Sequence, residues 1–213
     1  MNPVVSAADL QYTPYKDTAT DTIYNLLFCD DLDLYRNNHK GPIEGTWQVL
    51  FSNPPEIKQL QALADDKSAE SRLRILAFNR LIQQHVSIKQ KELLGVIVEV
   101  GLDQGLDTLA AYKDMRVRYI NRTGKLRVWE KHDPSIDAKI KKLFQEVQPI
   151  IEKIGPWDKA RLPPPPAGQM RLTFLVSDGL YFGEGTMRSL GRSPLAGPVV
   201  TAATELLFEL TRQ

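Results

Sequence analysis

Hydrophobic residues recur along this chain with two periods, one typical of helices and one typical of strands. Apolar positions three, four and seven residues apart predict a helix over about 69–86 and a second one that begins at 133–135 and ends at Gly155. Pro149 is expected to kink this second helix or to split off its last turn. A wide apolar face over 198–211 predicts a packed terminal helix.

Runs of β-branched and alternating residues predict two groups of strands. The run LLGVIVEV, which begins at Leu93, has the length and composition of a buried strand. Two strand-like stretches follow and are joined by a four-residue loop of hairpin type (109–120, 126–131 and 121–124). Residues 93–131 are therefore predicted to form an antiparallel meander, and a further hairpin is predicted at about 170–183.

The pattern between residues 46 and 86 is more varied. The sequence TWQVLFS at 46–52 predicts a strand that Asn53-Pro54-Pro55 terminates, followed by a short helix that carries Ile57, Leu60 and Leu63. On the helix predicted at 69–86, three arginines are expected to face water: Arg72, Arg74 and Arg80.

Together these elements predict an α+β fold with a mainly antiparallel sheet, several amphipathic helices packed against it and a single core. Residues 1–20 are expected to form a flexible or loosely docked arm, and residues 21–213 a single domain. Four consecutive prolines lie within 161–168, a composition that favours extended polyproline II and predicts a stiff connector inside that domain.

The cysteine and histidine content argues against stabilisation of the fold by disulfide bonds or by a bound metal ion. The chain of 213 residues has one cysteine, Cys29, which is predicted to be a buried and inert packing residue. Its three histidines are spread along the chain, so no metal site and no cofactor is predicted. No targeting segment or membrane span is evident, and we expect a cytoplasmic protein.

The charges of the chain are distributed unevenly. The net charge is +1, but residues 1–66 hold ten acidic and four basic residues, whereas residues 113–131 hold seven basic and two acidic ones. The densest acidic group, Asp30, Asp31 and Asp33, is expected to be a solvated turn or the counter-charge of the basic segment. Such asymmetry can steer a partner or support self-association.

The basic segment at 113–131 is predicted to be a β-hairpin with one face rich in guanidinium and indole groups. Alternation along its strands selects Arg116, Arg118, Arg127 and Trp129 as candidate binding residues. An alternative interpretation is a solvated sheet face on which Arg118 pairs with Glu130 or Asp114 and Trp129 covers the arginine stems.

The sequence has no GxSxG nucleophile motif and no phosphate-binding loop of the GxxxxGK[ST] type. We therefore expect a non-catalytic binding or regulatory protein that uses the hairpin to contact another protein or a second copy of itself. One alternative is a small hydrolase or transferase with a dispersed acid/base site near Asp103, Asp107 and His132. A second alternative is single-stranded nucleic-acid binding. Membrane binding is not expected.

Overall fold

The computed structural model describes residues 11–212, which form eight helices and six strands. The helices are α1 (Thr18–Leu26), α2 (Leu32–Asn38), α3 (Thr46–Phe51), α4 (Ile57–Asp65), α5 (Ser71–Gln83), α6 (Pro134–Ile151), α7 (Met187–Arg192) and α8 (Ala196–Arg212). The strands are β1 (Leu93–Leu102), β2 (Gly105–Tyr112), β3 (Val117–Ile120), β4 (Leu126–Trp129), β5 (Gln169–Val176) and β6 (Gly179–Thr186). None of these helices combines the length and hydrophobicity that a membrane span requires.

All six strands belong to one antiparallel sheet with the order β4-β3-β2-β1-β5-β6. Its first four strands form the predicted meander and its last two the predicted hairpin. The predicted α+β fold with a mainly antiparallel sheet is therefore confirmed. The single strand predicted at 109–120 is wrong, because a turn that follows Tyr112 divides this stretch between β2 and β3. Because β1 pairs with β2 on one side and β5 on the other, the continuous apolar run that marked it in the sequence lies in the middle of the sheet.

Helices cover both faces of this sheet. Successive side chains of a strand point to opposite faces, and Val96 and Val98 of β1 accordingly pack with Ile140 and Leu206, from α6 and α8. Ile97 packs instead with residues of the first five helices, including Tyr24 and Phe78. The sheet thus divides the expected single core into two layers. We call the layer with α6 and α8 the C-terminal layer and the other the N-terminal layer.

The strand predicted at 46–52 is wrong, because this segment forms the helix α3. Its residues Leu50 and Phe51 are buried in the N-terminal layer. The guanidinium group of Arg80 donates hydrogen bonds to the carbonyl oxygens of Leu50 and Ser52 at the end of this helix, the latter over 2.7 Å. These carbonyls have no partner within a helix, so an arginine from α5 supplies the capping that local sequence lacks.

The expectation that the arginines of α5 face water is also wrong for Arg74 and Arg80, and the side chain of Arg72 is only 22% exposed. Arg74 is 3% exposed and Arg80 is 8% exposed. Arg74 donates to the carbonyl oxygen of Ala64 over 2.8 Å and to the carboxylate of Glu92 over 3.2 and 2.7 Å. Guanidinium groups can be buried in this way because carbonyl and carboxylate oxygens accept hydrogen bonds from several of their N–H groups.

The helices α4, α6 and α8 lie close to the positions predicted for them. Helix α6 begins after Asp133, whose Oδ1 accepts hydrogen bonds from the backbone N–H groups of Ser135 and Ile136. It ends at Ile151, earlier than the predicted Gly155 and two residues after Pro149. A proline cannot donate the backbone hydrogen bond of a helix, which weakens the turn that contains it.

Part of the predicted N-terminal arm is docked against the fold. Tyr15 is 8% exposed, and its hydroxyl lies 2.9 Å from Thr108 Oγ1 on β2. The hydroxyl of Tyr12 donates to the carbonyl oxygen of Arg161 over 2.6 Å. Helix α1 begins at Thr18, before residue 21, where the domain was expected to begin. Residues 1–10 of the predicted arm lie outside the described residues.

The proline-rich connector lies directly against the sheet. The backbone N–H of Gly168 donates to the carbonyl oxygen of Gly101 over 2.9 Å. A Cβ atom added to Gly101 would lie 2.2 Å from the carbonyl oxygen of Pro166, so only glycine allows this approach. At the other end of the connector, Arg161 is 6% exposed and its Nε donates to Asp30 Oδ2 over 2.7 Å.

The acidic turn near residue 30 was expected to be solvated or to pair with the basic segment, but two of its three carboxylates are used inside the fold instead. Asp30 pairs with Arg161, and Asp31 is 5% exposed and caps α2 by accepting a 2.8 Å hydrogen bond from the backbone N–H of Leu34. Of the three carboxylates, Asp33 is the exposed one, paired with Arg36.

Candidate functional site

The register of the basic hairpin separates its candidate binding residues onto two faces. Arg118 lies opposite Val128, whereas Arg127 lies opposite Tyr119. Tyr119 and Trp129 contact the C-terminal layer, so Arg127 shares that face with Trp129 and Arg118 lies on the other one. The predicted single face rich in guanidinium and indole groups is therefore wrong. Strand alternation relates the residues of one strand to each other, and only the pairing register relates the two strands.

Two of the hairpin arginines are paired with the acidic residues of the same hairpin. Arg116 lies 2.7 Å from Asp114 Oδ2 and 2.9 Å from Glu130 Oε2, and Arg118 also pairs with Glu130. Arg118 is 6% exposed. This matches the alternative interpretation in which the arginines pair across the strands. The charge of both guanidinium groups is balanced within the hairpin.

The other two candidate residues contact the helix on their side of the sheet. Arg127 donates from Nη1 to the carbonyl oxygen of Leu210, near the end of α8, over 3.3 Å. A cation is favourable there because the carbonyl groups at the end of a helix carry partial negative charge. Trp129 is half-buried and packs against the C-terminal layer. Both side chains thus connect the edge of the sheet to its helices.

The three candidate acid/base residues make separate local contacts. Asp107 accepts hydrogen bonds from the backbone N–H of Arg122 over 2.6 Å and from the hydroxyl of Tyr119 over 3.2 Å. Asp103 is exposed in the turn between β1 and β2. His132 has a side chain that is 76% exposed, with Nδ1 3.0 Å from Asp137 Oδ2. None of the three lines the lysine-rich groove or any of three other cavities that residues 11–212 form.

A groove with a volume of about 410 Å³ lies at the first residue of the hairpin. We call it the lysine groove, after the three lysines on its walls: Lys67 from the loop before α5, Lys91 from the approach to β1, and Lys113 from the turn between β2 and β3. Helix α6 forms the opposite wall with Phe144, Gln145 and Gln148. Four segments that are distant in sequence therefore meet in this groove.

The lysine groove carries an excess of positive charge. The single acidic residue among the described residues that line it is Glu92, which is 8% exposed. Two nitrogens of Arg74 bind this carboxylate from the interior, and Lys113 Nζ lies 2.7 Å from its Oε1. Burial raises the pKa of Glu92, but the hydrogen bonds and charges of Arg74 and Lys113 outweigh burial and hold the pKa below its ordinary value. Glu92 therefore stays ionised and is already neutralised by Arg74.

The lysines themselves are exposed. Lys67 makes no ion pair with any described residue, and the side chain of Lys113 is 48% exposed. Lys91 donates to the carbonyl oxygen of Ile151 over 2.9 Å, at the end of α6, and this bond positions its charge on the groove wall. The amide side chains of Gln90, Gln145 and Gln148 add hydrogen-bonding groups, and half-buried Phe144 adds an apolar surface.

A second set of charged residues, which the sequence patterns did not single out as a site, is buried in the N-terminal layer. Glu99 is fully buried in β1, opposite Arg171 on β5, and it accepts a hydrogen bond from Tyr24. Arg171 donates from Nε to Glu184 Oε2 over 2.7 Å, and Arg161 lies over the ring of Phe28 at 3.9 Å. The available signal was a charged residue within an apolar strand run, as Glu99 in LLGVIVEV and Arg171 in QMRLTFLV.

No known protein-family model matches this chain, and no curated protein compared with it is similar enough to indicate a relationship. The function is therefore argued from the geometry of the described residues.

Proposed function

We propose that this protein is a non-catalytic binding protein that holds an acidic segment of a partner protein in the lysine groove. The observation that carries the proposal is the charge balance of the groove: among the described residues three lysines line it, and the carboxylate of Glu92 is bound by both Arg74 and Lys113, which leaves a net positive charge. An acidic segment would supply the missing negative charge. Complementary charge of this kind increases the rate of association and selects partners.

The chemistry of the walls favours a peptide over a small anion. Carboxylates of the partner would pair with the exposed ammonium groups of Lys67 and Lys113. Side-chain amides of Gln90 and Gln145 both donate and accept hydrogen bonds, as a peptide backbone requires. The half-buried ring of Phe144 provides an apolar surface for a side chain of the partner.

This proposal keeps the expected role of the hairpin in protein contacts but moves the contact to its first residue, Lys113. The candidates Arg116 and Arg118 have their charge balanced by Asp114 and Glu130, so less of it remains for a partner. The partner is either a different protein or a second copy of this chain. We also propose the cytoplasm as its location, which the lone buried Cys29 supports, and cell fractionation tests it.

A charge-reversal experiment tests the lysine groove directly. Binding of a fluorescent hexaglutamate peptide to the full chain is measured by fluorescence anisotropy, with hexaglutamine as the neutral control. We expect measurable affinity for hexaglutamate alone, falling as salt rises from about 50 to about 500 mM. The double variant Lys67→Glu/Lys113→Glu is expected to bind at least about tenfold more weakly, as is typical for loss of charged pairs.

The matched control is the double variant Lys58→Glu/Lys141→Glu, which makes the same change of charge at exposed lysines outside the groove. The single variant Lys67→Glu leaves the contact between Lys113 and Glu92 intact and so separates binding from folding. The proposal would be contradicted if the control lowered the affinity for hexaglutamate as much as the groove variants do, or if neither groove variant changed that affinity. So would tighter binding of a single-stranded oligothymidine than of hexaglutamate, because it would favour the nucleic-acid alternative. Sedimentation then determines whether the partner is a second copy.

A further inference from the structure

A second cavity, of about 380 Å³, lies between α5, the turn that joins β5 to β6, and the segment that follows α6. We call it the connector cavity. Its walls are mainly apolar and include Phe28, Ile75, Ile82, Trp157, Leu175 and Leu180. Cavities of this size with apolar walls and a few polar groups are the usual form of a small-molecule site.

The polar groups of the connector cavity are unusual in their charge. Three carboxylates line it, from Asp30, Asp158 and Asp178, together with the amides of Asn79 and Gln83. No lysine or arginine occurs among the described residues of this lining. Asp30 is paired with Arg161, which lies outside this lining, so the excess negative charge of the cavity comes from Asp158 and Asp178, whereas the lysine groove is cationic.

Two of these carboxylates each have one oxygen without a donor. Asp30 Oδ2 accepts from Arg161, and Asp178 Oδ2 accepts from the hydroxyl of Tyr181 over 2.9 Å. The second oxygen of each, Oδ1, is buried and has no hydrogen-bond partner among the described residues. Buried carboxylate oxygens nearly always have donors, so two such atoms at one cavity call for a donor from outside the chain.

The aromatic wall of the cavity is held in a defined orientation. The indole N–H of Trp157 donates to the carbonyl oxygen of Ala160 over 2.9 Å, and its ring packs edge-on against Phe182 at a centroid distance of 5.0 Å. The backbone N–H of Trp157 donates to the carbonyl oxygen of Leu180 over 2.7 Å. The ring of Trp157 is therefore held in place as part of the apolar wall.

We propose that the connector cavity binds a small organic ammonium ion, which is a protonated primary amine on an apolar or aromatic body. The ammonium group would donate hydrogen bonds to Asp30 Oδ1 and Asp178 Oδ1, while the body packs against Ile75 and Leu175. An ammonium group suits this lining because it has three donors, no acceptor and a positive charge. Among the described residues, no cluster of three or more histidine, cysteine, aspartate or glutamate side chains could hold a metal ion, which favours an organic cation.

This site is separate from the lysine groove, and the two can be tested independently. Both Oδ1 atoms are covered in the described chain, so the cavity must open for the ammonium group to reach them. The backbone hydrogen bond from Trp157 to Leu180 would resist that opening.

Calorimetric titration with three probes of similar shape tests the proposal on the unmodified full chain. The probes are benzylammonium, neutral benzyl alcohol and anionic benzoate. We expect benzylammonium to bind at least about tenfold more tightly than benzyl alcohol, because hydrogen bonds to charged groups are the stronger ones. Benzoate should not bind detectably, since the lining carboxylates repel it.

Two aspartate variants locate the binding. Asp178→Asn keeps an oxygen for the hydroxyl of Tyr181 and removes the charge, and it is expected to weaken benzylammonium binding about tenfold. Asp103→Asn removes the same charge in an exposed turn outside the cavity and should have no such effect. Equal weakening by both variants, or unchanged binding in Asp178→Asn, would overturn the proposal.

The three probes remain decisive if Asp178→Asn does not fold. Equal affinities for benzylammonium and benzyl alcohol, or no binding of benzylammonium, would mean that the two oxygens need no ammonium group. The proposal would also be rejected if a crystal soaked with benzylammonium showed ordered water hydrogen-bonded to both atoms, because water would then be their donor.

Discussion

The hydroxyl of Tyr24 donates a 2.7 Å hydrogen bond to Glu99 Oε1, and both residues are 0% exposed. This bond joins α1 to the central strand of the sheet across the N-terminal layer. The other oxygen, Oε2, is buried without a hydrogen-bond partner among the described residues. The carboxyl group of Glu99 is therefore only partly satisfied in the folded chain.

This environment predicts a specific pH dependence of stability. Burial raises the pKa of Glu99 above its ordinary value of 4.5, although the Tyr24 hydrogen bond and the charges of Arg171 and Arg161 lower it in part. Folded chains then bind more protons than unfolded chains, so the stability contributed by this group falls as pH rises from the ordinary value through the raised one. Replacing Glu99 by Gln removes the charge and should remove this loss.

We therefore expect the free energy of unfolding of Glu99→Gln, relative to the natural sequence, to increase as pH rises from about 4 to about 8, by about 1.4 kcal/mol per unit of pKa change. Urea unfolding across that range measures it. Glu130→Gln, whose side chain is 51% exposed in the natural chain, is the matched control and should show no comparable rise. A constant difference between Glu99→Gln and the natural sequence would rule out the raised pKa.

The buried pair of Arg74 and Glu92 predicts a large effect of removing one partner. Arg74→Met leaves the carboxylate of Glu92 buried with Lys113 as its remaining cation and removes the hydrogen bond to Ala64. We expect a loss of about 3–5 kcal/mol in the free energy of unfolding, because a buried carboxylate that loses its two-nitrogen guanidinium partner is costly.

Lys139→Met provides the exposed comparison for this pair. Lys139 lies 2.9 Å from Glu205, and their side chains are 35% and 33% exposed. Its removal should cost only about 0–1 kcal/mol in the same urea titration. Similar losses in the two variants would show that burial does not set the strength of these pairs.

Because the proline connector approaches β1 closely, we expect any replacement of Gly101 to lower the stability of the fold. A Cβ atom there would lie 2.2 Å from the carbonyl oxygen of Pro166 and 2.5 Å from that of Pro165, and a backbone cannot yield as a side-chain end can. We expect Gly101→Ala to destabilise the fold by about 1–3 kcal/mol in thermal or urea unfolding. Gly183→Ala, on β6, meets no atom within 4 Å and should change stability by less than about 0.5 kcal/mol.

Cys29 is expected to react only when the fold opens. The thiol is 0% exposed, as predicted from sequence, and burial raises its pKa to about 12, despite the lowering effects of the Arg72 charge and the Tyr35 hydrogen bond. Labelling with an aromatic disulfide reagent at neutral pH should therefore be slow and should accelerate with urea in parallel with unfolding. Fast labelling without urea would contradict this burial.

Local patterns predicted the elements whose own side chains decide their structure. The run at Leu93 and the apolar stripe after Asp133 indicated β1 and α6 because the spacing of hydrophobic residues matches one buried face or two. The strand predicted at 46–52 was wrong because burial of Leu50 and the hydrogen bonds of Arg80, which lies on another helix, outweighed the β-type composition of this segment. Tertiary contacts of this kind override the local preference of a segment for strand structure.

The candidate sites depended on tertiary contacts even more than the secondary structure did. The sequence by itself determined an antiparallel α+β fold, a buried cysteine and a local excess of positive charge at 113–131. Tertiary structure alone decided which of those charges are balanced, because the register placed Glu130 beside Arg116 and Arg118. It also brought Lys67 and Lys113 together across one groove. Electrostatic and hydrogen-bonding partners are chosen by distance in space, and a linear pattern carries no measure of that distance.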